Sequence, residues 1–383
     1  MALANVNILR QDGGIARQSA SQDGISGLII YSTALSGYSG NYKLFTAQDG
    51  KDLFTGSTLN EQIAEYHIDG YFNRSDDALY FKVIPSATTD FSEIVELKDF
   101  AEGEPRQYGV IDLETDFSTS RVSLLDTAAN QLETEFAPGQ VLYSAPITGT
   151  VENLTSLQLL SDPRVSVNIA EDATAGSVPA DLRANSGATF IGSIGQQLGD
   201  VSSVKVSTSI AYVREINLAD FGYSNPGFID GSVLKDKSKT FQDTLDTYHY
   251  TFIRKFVGLG GSYWNFAYTA VNDAQSDFNT IELNRTYDKA FRNIRTALLP
   301  EVCSPVLVDQ DGNLSNGVVK YLESLAGAQL QFMQDANEIS DYVVSIDPNQ
   351  KVLQTNTIEV VAKIVPVGVA KTIEVKLGFT TSL

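Results

Sequence analysis

Gln140-Val141-Leu142-Tyr143-Ser144, the run from Val151 to Leu160, and Arg164-Val165-Ser166-Val167-Asn168-Ile169 follow one another in the middle of the chain. The first and third are short apolar runs of strand length, and the segment between them reads as helical. Strands separated by helical segments of this length point to α/β units, not a pure β-sandwich. Working back toward the N-terminus, Gly27-Leu28-Ile29-Ile30-Tyr31 reads as the first buried strand. Ser57 is placed to cap a helix carrying Leu59, Ile63, Tyr66 and His67 at helical spacing. Leu79-Tyr80-Phe81-Lys82-Val83-Ile84 then reads as a strand stopped by Pro85. Working forward, residues 186–199 are glycine-punctuated and helix-compatible, Val204 to Val213 reads as a strand, and residues 220–240 mark a loop or boundary. No repeat with a period of 20–50 residues is visible.

The last third is the clearest part. Thr280 to Leu298 predicts an amphipathic helix ended by Pro300, with Tyr287, Phe291, Ile294 and Leu298 on one stripe. Arg285, Lys289 and Arg292 fall together away from that stripe, and Arg295 flanks them. A second helix is expected from about Gly317 to Asp335, followed by strands at Val343 to Ile346, Thr357 to Val365 and Thr372 to Phe379.

Composition removes several function classes. The 383 residues are 43% hydrophobic and 19% charged, so the chain can build a sizeable core and is no disordered polymer. Forty-seven acids against 27 bases give a net charge of -20, which argues against nucleic acid or an anionic membrane surface as partner. Residues 1–234 hold 13 Lys/Arg against 30 Asp/Glu, whereas residues 235–383 hold 14 against 17. The densest acidic stretch, Asp90 to Asp116, reads as solvated surface. The opening residues lack the basic segment and apolar core of a secretory signal, and no run is long enough to span a bilayer, so folding in the cytoplasm is expected.

The parts needed for catalysis are scarce. Cys303 is the single cysteine and reads as a small buried residue, and His67 and His249 are the two histidines, both better suited to packing than to ligation. Gly192-Ser193-Ile194-Gly195-Gln196-Gln197-Leu198-Gly199 lacks the spacing of a phosphate-binding loop, and Gly258-Leu259-Gly260-Gly261 reads as a tight turn. Asp309-Gln310-Asp311-Gly312-Asn313 opens like a calcium loop but has Leu314 where glycine is needed and Lys320 where glutamate is needed. There is no G-x-S-x-G elbow. The reading is no enzyme, with no catalytic, cofactor-binding or metal-binding residues and no cofactor.

Two surface features remain. The Arg285, Lys289, Arg292 and Arg295 stripe is either a solvated or internally paired helix face, or a contact for an acidic partner. At the C-terminus, Ile373, Val375, Leu377 and Phe379 share one face of a strand, and Ile358, Val360, Ala362 and Ile364 alternate likewise before it. These two strands form either a closed hairpin or, with the polar, glycine-marked N-terminal segment, arms exchanged between subunits.

Short motifs in a fixed order carry a resemblance. They begin with Asn5-Val6-Asn7-Ile8, Asp23-Gly24-Ile25-Ser26-Gly27-Leu28, Ser193-Ile194-Gly195 ahead of Leu198-Gly199, and Arg254-Lys255 before Gly258. They continue with Ser276-Asp277, Asn284-Arg285-Thr286-Tyr287-Asp288-Lys289-Ala290, Ile294-Arg295, Leu299-Pro300 and Ile346-Asp347-Pro348-Asn349-Gln350. They end with Val365-Pro366-Val367-Gly368-Val369-Ala370-Lys371-Thr372-Ile373-Glu374-Val375. In this order the chain resembles the tail sheath proteins of contractile bacteriophages and related contractile injection systems.

The resemblance implies a mixed α/β, multi-domain subunit. Residues 1–26 would be an extended N-terminal arm, 27–100 the first part of the core or outer domain, and 101–235 an outward-facing middle α/β domain. Residues 236–365 would form the inner domain and 366–383 a C-terminal strand arm. Such subunits stack on themselves as hexameric rings in a helical array around an inner tube protein, with baseplate and tail terminator proteins at the ends. Contraction drives the tube through a target envelope. The implied subunit contacts are Val6, Asn7, Ile8, Leu9, Ile358, Val360, Ile364, Ile373, Val375, Leu377 and Phe379. The basic stripe would meet the tube or a neighbouring subunit. Assembly would occur in the bacterial cytoplasm, into a virion tail or an injection particle, with no membrane insertion. The competing expectation is another self-assembling shell or surface-layer protein.

Overall fold

The computed structural model describes residues 22–274 and 276–379. In chain order its strands are β1 (Ser26–Tyr31), β2 (Gly40–Leu44), β3 (Leu79–Ile84), β4 (Gln107–Asp112), β5 (Gln140–Ser144), β6 (Ser161–Asp162) and β7 (Val165–Val167). They continue as β8 (Ala170–Asp172), β9 (Pro226–Phe228), β10 (Ile253–Arg254), β11 (Tyr263–Trp264), β12 (Ala270–Val271), β13 (Ile339–Ser345) and β14 (Val361–Pro366). The helices used below are α1 (Ala47–Leu53), α2 (Leu59–Phe72), α3 (Glu93–Phe100), α4 (Thr119–Thr134), α5 (Val178–Ser186), α6 (Ile194–Ser203), α7 (Lys239–Thr247), α8 (Ile281–Leu298) and α9 (Asn316–Asp335).

Strands β2-β3-β1-β4-β5-β7 form one sheet in that order, parallel except for β2, which runs antiparallel to β3 at the edge. β1, β4 and β5 are buried along their whole length, which is why they read as continuous apolar runs and not as alternating ones. Both faces are covered. Leu97 of α3 lies over Gly27 on one side, and Ile194 and Leu198 of α6 lie over Gly109 on the other.

The glycine-rich segment before residue 200 turns out to be a helix crossing. Gly195 and Gly199 lie one turn apart on α6, where a Cβ on Gly195 would fall 2.0 Å from the His67 carbonyl oxygen of α2 and one on Gly199 2.8 Å from that of Tyr71. Two backbones meet there. His67 is fully buried and its hydrogen bonds fix its tautomer: the Gly195 N–H donates to Nδ1 at 3.2 Å, so Nε2 carries the proton toward the Ile191 carbonyl at 3.0 Å. Burial, above all, pushes its pKa down to about 4.

Several expectations are corrected. Val151 to Leu160 is not one helix but two single 3₁₀ turns, because the Ser156 hydroxyl accepts from Gln158 N–H and Leu157 N–H donates across to Tyr248. Val204 to Val213 forms turns, not a strand, and the Arg285 guanidinium donates to the carbonyls of Val204 and Lys205. The cap of α2 is Thr58, not Ser57, since the Thr58 side chain accepts from Glu61 N–H. The acidic stretch from Asp90 to Asp116 holds α3 and the central strand β4. In it Glu93 is buried and accepts from the Tyr31 hydroxyl at 3.2 Å, and Asp112 accepts from two backbone N–H groups and Arg121.

The domain limits also move. The sheet runs straight across residue 100, since β1 pairs with both β3 and β4, and one apolar cluster extends from Ile25 to Ile281, well past residue 235. The C-terminal part has its own two clusters. Ala290, Leu330, Met333 and Ile339 form one, and Leu314, Val319, Leu322 and Ile346 form the other. Helix α8 belongs to both parts. Its first half is clamped in the larger unit by Arg164 to Asp288 at 2.6 Å and Asn284 to the Pro163 carbonyl at 3.0 Å, while its second half carries α9 and the β13–β14 hairpin.

Candidate assembly site

β13 and β14 pair antiparallel, with Tyr342 opposite Ile364 and Val344 opposite Ala362. One face of this ribbon packs on the protein, since Ile339, Tyr342, Val344 and Ile364 meet Leu330 and Met333 of α9. The other face leaves Val343, Val361 and Val365 exposed. Among the described residues neither strand has a second neighbour, so both edges offer unpaired backbone groups. Beside the ribbon lies an open apolar cleft of about 660 Å³, lined by Leu298, Val302, Val318, Leu322, Ile358 and Val360. Cys303 sits at this cleft in a left-handed conformation with φ 65° and is exposed, which corrects its reading as a small buried residue.

Beyond Pro366 the chain leaves the ribbon. Among the described residues, 372–379 pair with no strand, and the row Ile373, Val375, Leu377 and Phe379 is 78–110% exposed. Four large apolar side chains in a row, none covered, are costly in water at about 1.5–3 kcal/mol each. Of the two alternatives for this segment, the closed hairpin with the preceding strand is not formed among the described residues, where β14 pairs with β13 instead. Ile358, Val360 and Ile364, grouped with the arm by their alternation, are half-buried against their own subunit's clusters. Val6, Asn7, Ile8 and Leu9 lie outside the described residues.

The basic stripe is turned inward, which corrects its reading as a partner-facing surface. Arg285 is 3% exposed and spends its guanidinium on the carbonyls of Asp23, Val204 and Lys205. Lys289 Nζ reaches Asp23 at 2.6 Å and Glu338 at 2.7 Å, and Arg292 donates to Asp23 at 3.2 Å. Arg295 stacks over the Phe136 ring at 4.0 Å. Burial, as the largest effect, lowers the pKa of Arg285 to about 10 and lowers that of Arg292 as well. These cations face the interior because the acids that neutralise them arrive from distant segments. Periodicity along one helix cannot reveal such partners. Asp23, at the root of the N-terminal segment, and Glu338, just before β13, were not legible as site residues.

The architecture can be placed among known ones. The chain superposes on the helical sheath of the anti-feeding prophage in its contracted state with a TM-score of 0.66 and 16% identity, covering 100% of both chains. It carries the fold of a contractile sheath subunit. The contracted sheath of an extracellular contractile injection system, PVC, agrees with this sheath fold at a TM-score of 0.64 and 14% identity, over 100% of this chain and 98% of the other. The sheath tail protein of Listeria innocua agrees at 0.52 and 10% identity, over 91% and 96%. Residues 277–383, the stretch that begins at α8 and includes the ribbon, match the family model described as DUF2586, C-terminal domain. No curated protein matches the chain. Among the described residues no group of three His, Cys, Asp or Glu side chains is arranged to hold a metal ion, and no helix is long and apolar enough to cross a membrane.

Proposed function

We propose that this chain is the repeating structural subunit of a contractile sheath. It stacks as hexameric rings around an inner tube, meets baseplate and terminator proteins at the ends, and performs mechanical work without catalysing a reaction. Assembly takes place in the bacterial cytoplasm, and the product is a virion tail or a contractile injection particle. The observation that carries this reading is the pairing of two unsatisfied features in one chain: a two-stranded ribbon with open edges and an uncovered, strand-patterned arm. Inserting the arm of one copy beside the ribbon of the next satisfies both. Each added backbone hydrogen bond contributes about 1 kcal/mol net, and the apolar row adds more, so many repeated joints hold a lattice together while subunits slide.

Negative-stain electron microscopy of the concentrated protein tests this, with hollow tubes of uniform width as the expected result. Removing residues 367–383 should leave a folded subunit that no longer polymerises, and normal polymers from that truncation would refute strand exchange. Sheets or closed shells would instead favour a shell or surface-layer protein. Discrete particles that stay unpolymerised even with tube and baseplate added would sink the sheath reading.

A further inference from the structure

Between the ribbon and the arm the chain crosses to the larger unit, and one side chain marks where it lands. Lys371 Nζ lies 2.7 Å from Asp246 Oδ2, in the last turn of α7, and also hydrogen-bonds the Tyr268 hydroxyl. The same ammonium stands 4.6 Å from the Tyr268 ring centroid and 5.2 Å from that of Phe266. One carboxylate, the hydroxyl edge of Tyr268 and the Phe266 ring around a primary ammonium make a cage for an alkylammonium ion.

The cage is braced from behind by bonds within the larger unit. Asn265 donates to the other oxygen of Asp246 at 2.9 Å, the Tyr268 hydroxyl donates to Asp246 at 3.2 Å, and the His249 ring stacks flat on Tyr268 at 4.2 Å and 7°. Its walls are therefore held by the larger unit and are not gathered by the arm. The side chains of Lys371 and Asp246 keep 42% and 21% exposure, so the contact can be made and broken without unfolding anything else.

We propose that the Asp246–Phe266–Tyr268 cage is a docking site for the Lys371 ammonium that aims the C-terminal arm. The proposal rests on the strand-exchange reading above and makes Lys371 a positioning residue for it. Pro366 is fixed by its pairing with Ile339 and Lys371 by the cage, so the linker between them is held at both ends. The row from Ile373 to Phe379 then leaves the subunit from a fixed point, and only the residues beyond Lys371 search for a neighbour. Undocking lengthens the free tether from residues 372–379 to residues 367–379 among those described. Length alone lowers the effective concentration of the arm by about twofold, and the loss of direction lowers it further.

The test uses the full chain carrying Lys371→Glu, which Asp246 repels, and Lys371→Arg, which keeps a cation beside Asp246. Nitrogen-15 backbone order parameters at residues 368–371 should fall from about 0.85 to below about 0.6 in Lys371→Glu and stay near the parent values in Lys371→Arg, with β13 unaffected in both. The critical concentration for tube formation should rise at least about twofold in Lys371→Glu and recover in Lys371→Arg. Order parameters at 368–371 that are unchanged in Lys371→Glu overturn the cage. Unchanged assembly by Lys371→Glu, when loss of residues 367–383 still abolishes assembly, overturns the aiming role and leaves the sheath reading intact. Unchanged assembly by the truncation overturns strand exchange itself and the aiming role with it.

Discussion

Lys289 Nζ lies 2.6 Å from Asp23 Oδ2, which ties the root of the N-terminal segment to the middle of α8. The same ammonium is 2.7 Å from Glu338, the residue that precedes β13. One lysine thus stands between two carboxylates, one near the first of the described residues and one at the start of the C-terminal ribbon. Arg292 reinforces it by reaching Asp23 across 269 positions of sequence. Asp23, near the first of the described residues, and the base of the C-terminal ribbon are therefore tied to one charge cluster on the same helix.

Replacing Lys289 with Met removes one cation and leaves Glu338 without its ion pair, while Asp23 keeps Arg292. The three side chains are between 9% and 18% exposed, so the loss is expected to be about 2 kcal/mol, less than for a fully buried pair. Urea unfolding monitored by circular dichroism checks this, and a midpoint equal to the parent's would show that the cluster contributes nothing.

Gly195→Ala places a methyl group 2.0 Å from the His67 carbonyl oxygen, where only backbone can yield. The expected cost is about 3 kcal/mol, because α6 must lift away from α2. Gly37→Ala, with nothing within 4 Å of its added carbon, is the matched control and should stay within about 0.5 kcal/mol of the parent. Equal stability of the two variants would contradict the close crossing.

His67 should remain neutral down to about pH 5, with the proton on Nε2. Its folded pKa of about 4 is below the unfolded value near 6.5. Its contribution to stability is complete above pH 6.5 and is lost as the pH falls from there toward 4. Nitrogen-15 chemical shifts of the ring report both features, and a ring that protonates at pH 6 in the folded protein would be incompatible with this environment.

Glu282 titrates in the opposite sense. It is buried at the start of α8, and desolvation raises its pKa to about 7 from an ordinary 4.5. A raised carboxyl contributes its stability below pH 4.5 and loses it as the pH climbs through 7. Glu282→Gln should therefore match the parent near pH 4 and exceed it at pH 8, by about 3 kcal/mol. Melting curves across that range decide it, and a constant difference between the two proteins would rule out the titration.

The chain's own sequence determined the elements whose signals are local. β1, β3 and β5 are apolar runs punctuated by Pro85 or glycine, α8 is bounded by Thr280 and Pro300, and α9 shows its period plainly. The alternation of Ile373, Val375, Leu377 and Phe379, and the scarcity of groups for catalysis, are likewise local facts. Tertiary structure alone decided which way charged and small residues face. Asp112 and Glu93 read as solvent-exposed until β4 and α3 were placed inside, and whether the basic stripe of α8 is paired internally or faces a partner was decided only when Asp23 and Glu338 arrived to pair with it. Gly195 and Gly199 became a helix crossing only when α2 lay against them, and Lys371 became a docking residue only beside Asp246 and Tyr268. The physical reason is the same in each case. A strand or helix period is written by neighbours a few positions apart, whereas a buried charge is stabilised by a partner that the fold brings from outside that window, 269 positions away for Arg292 and Asp23.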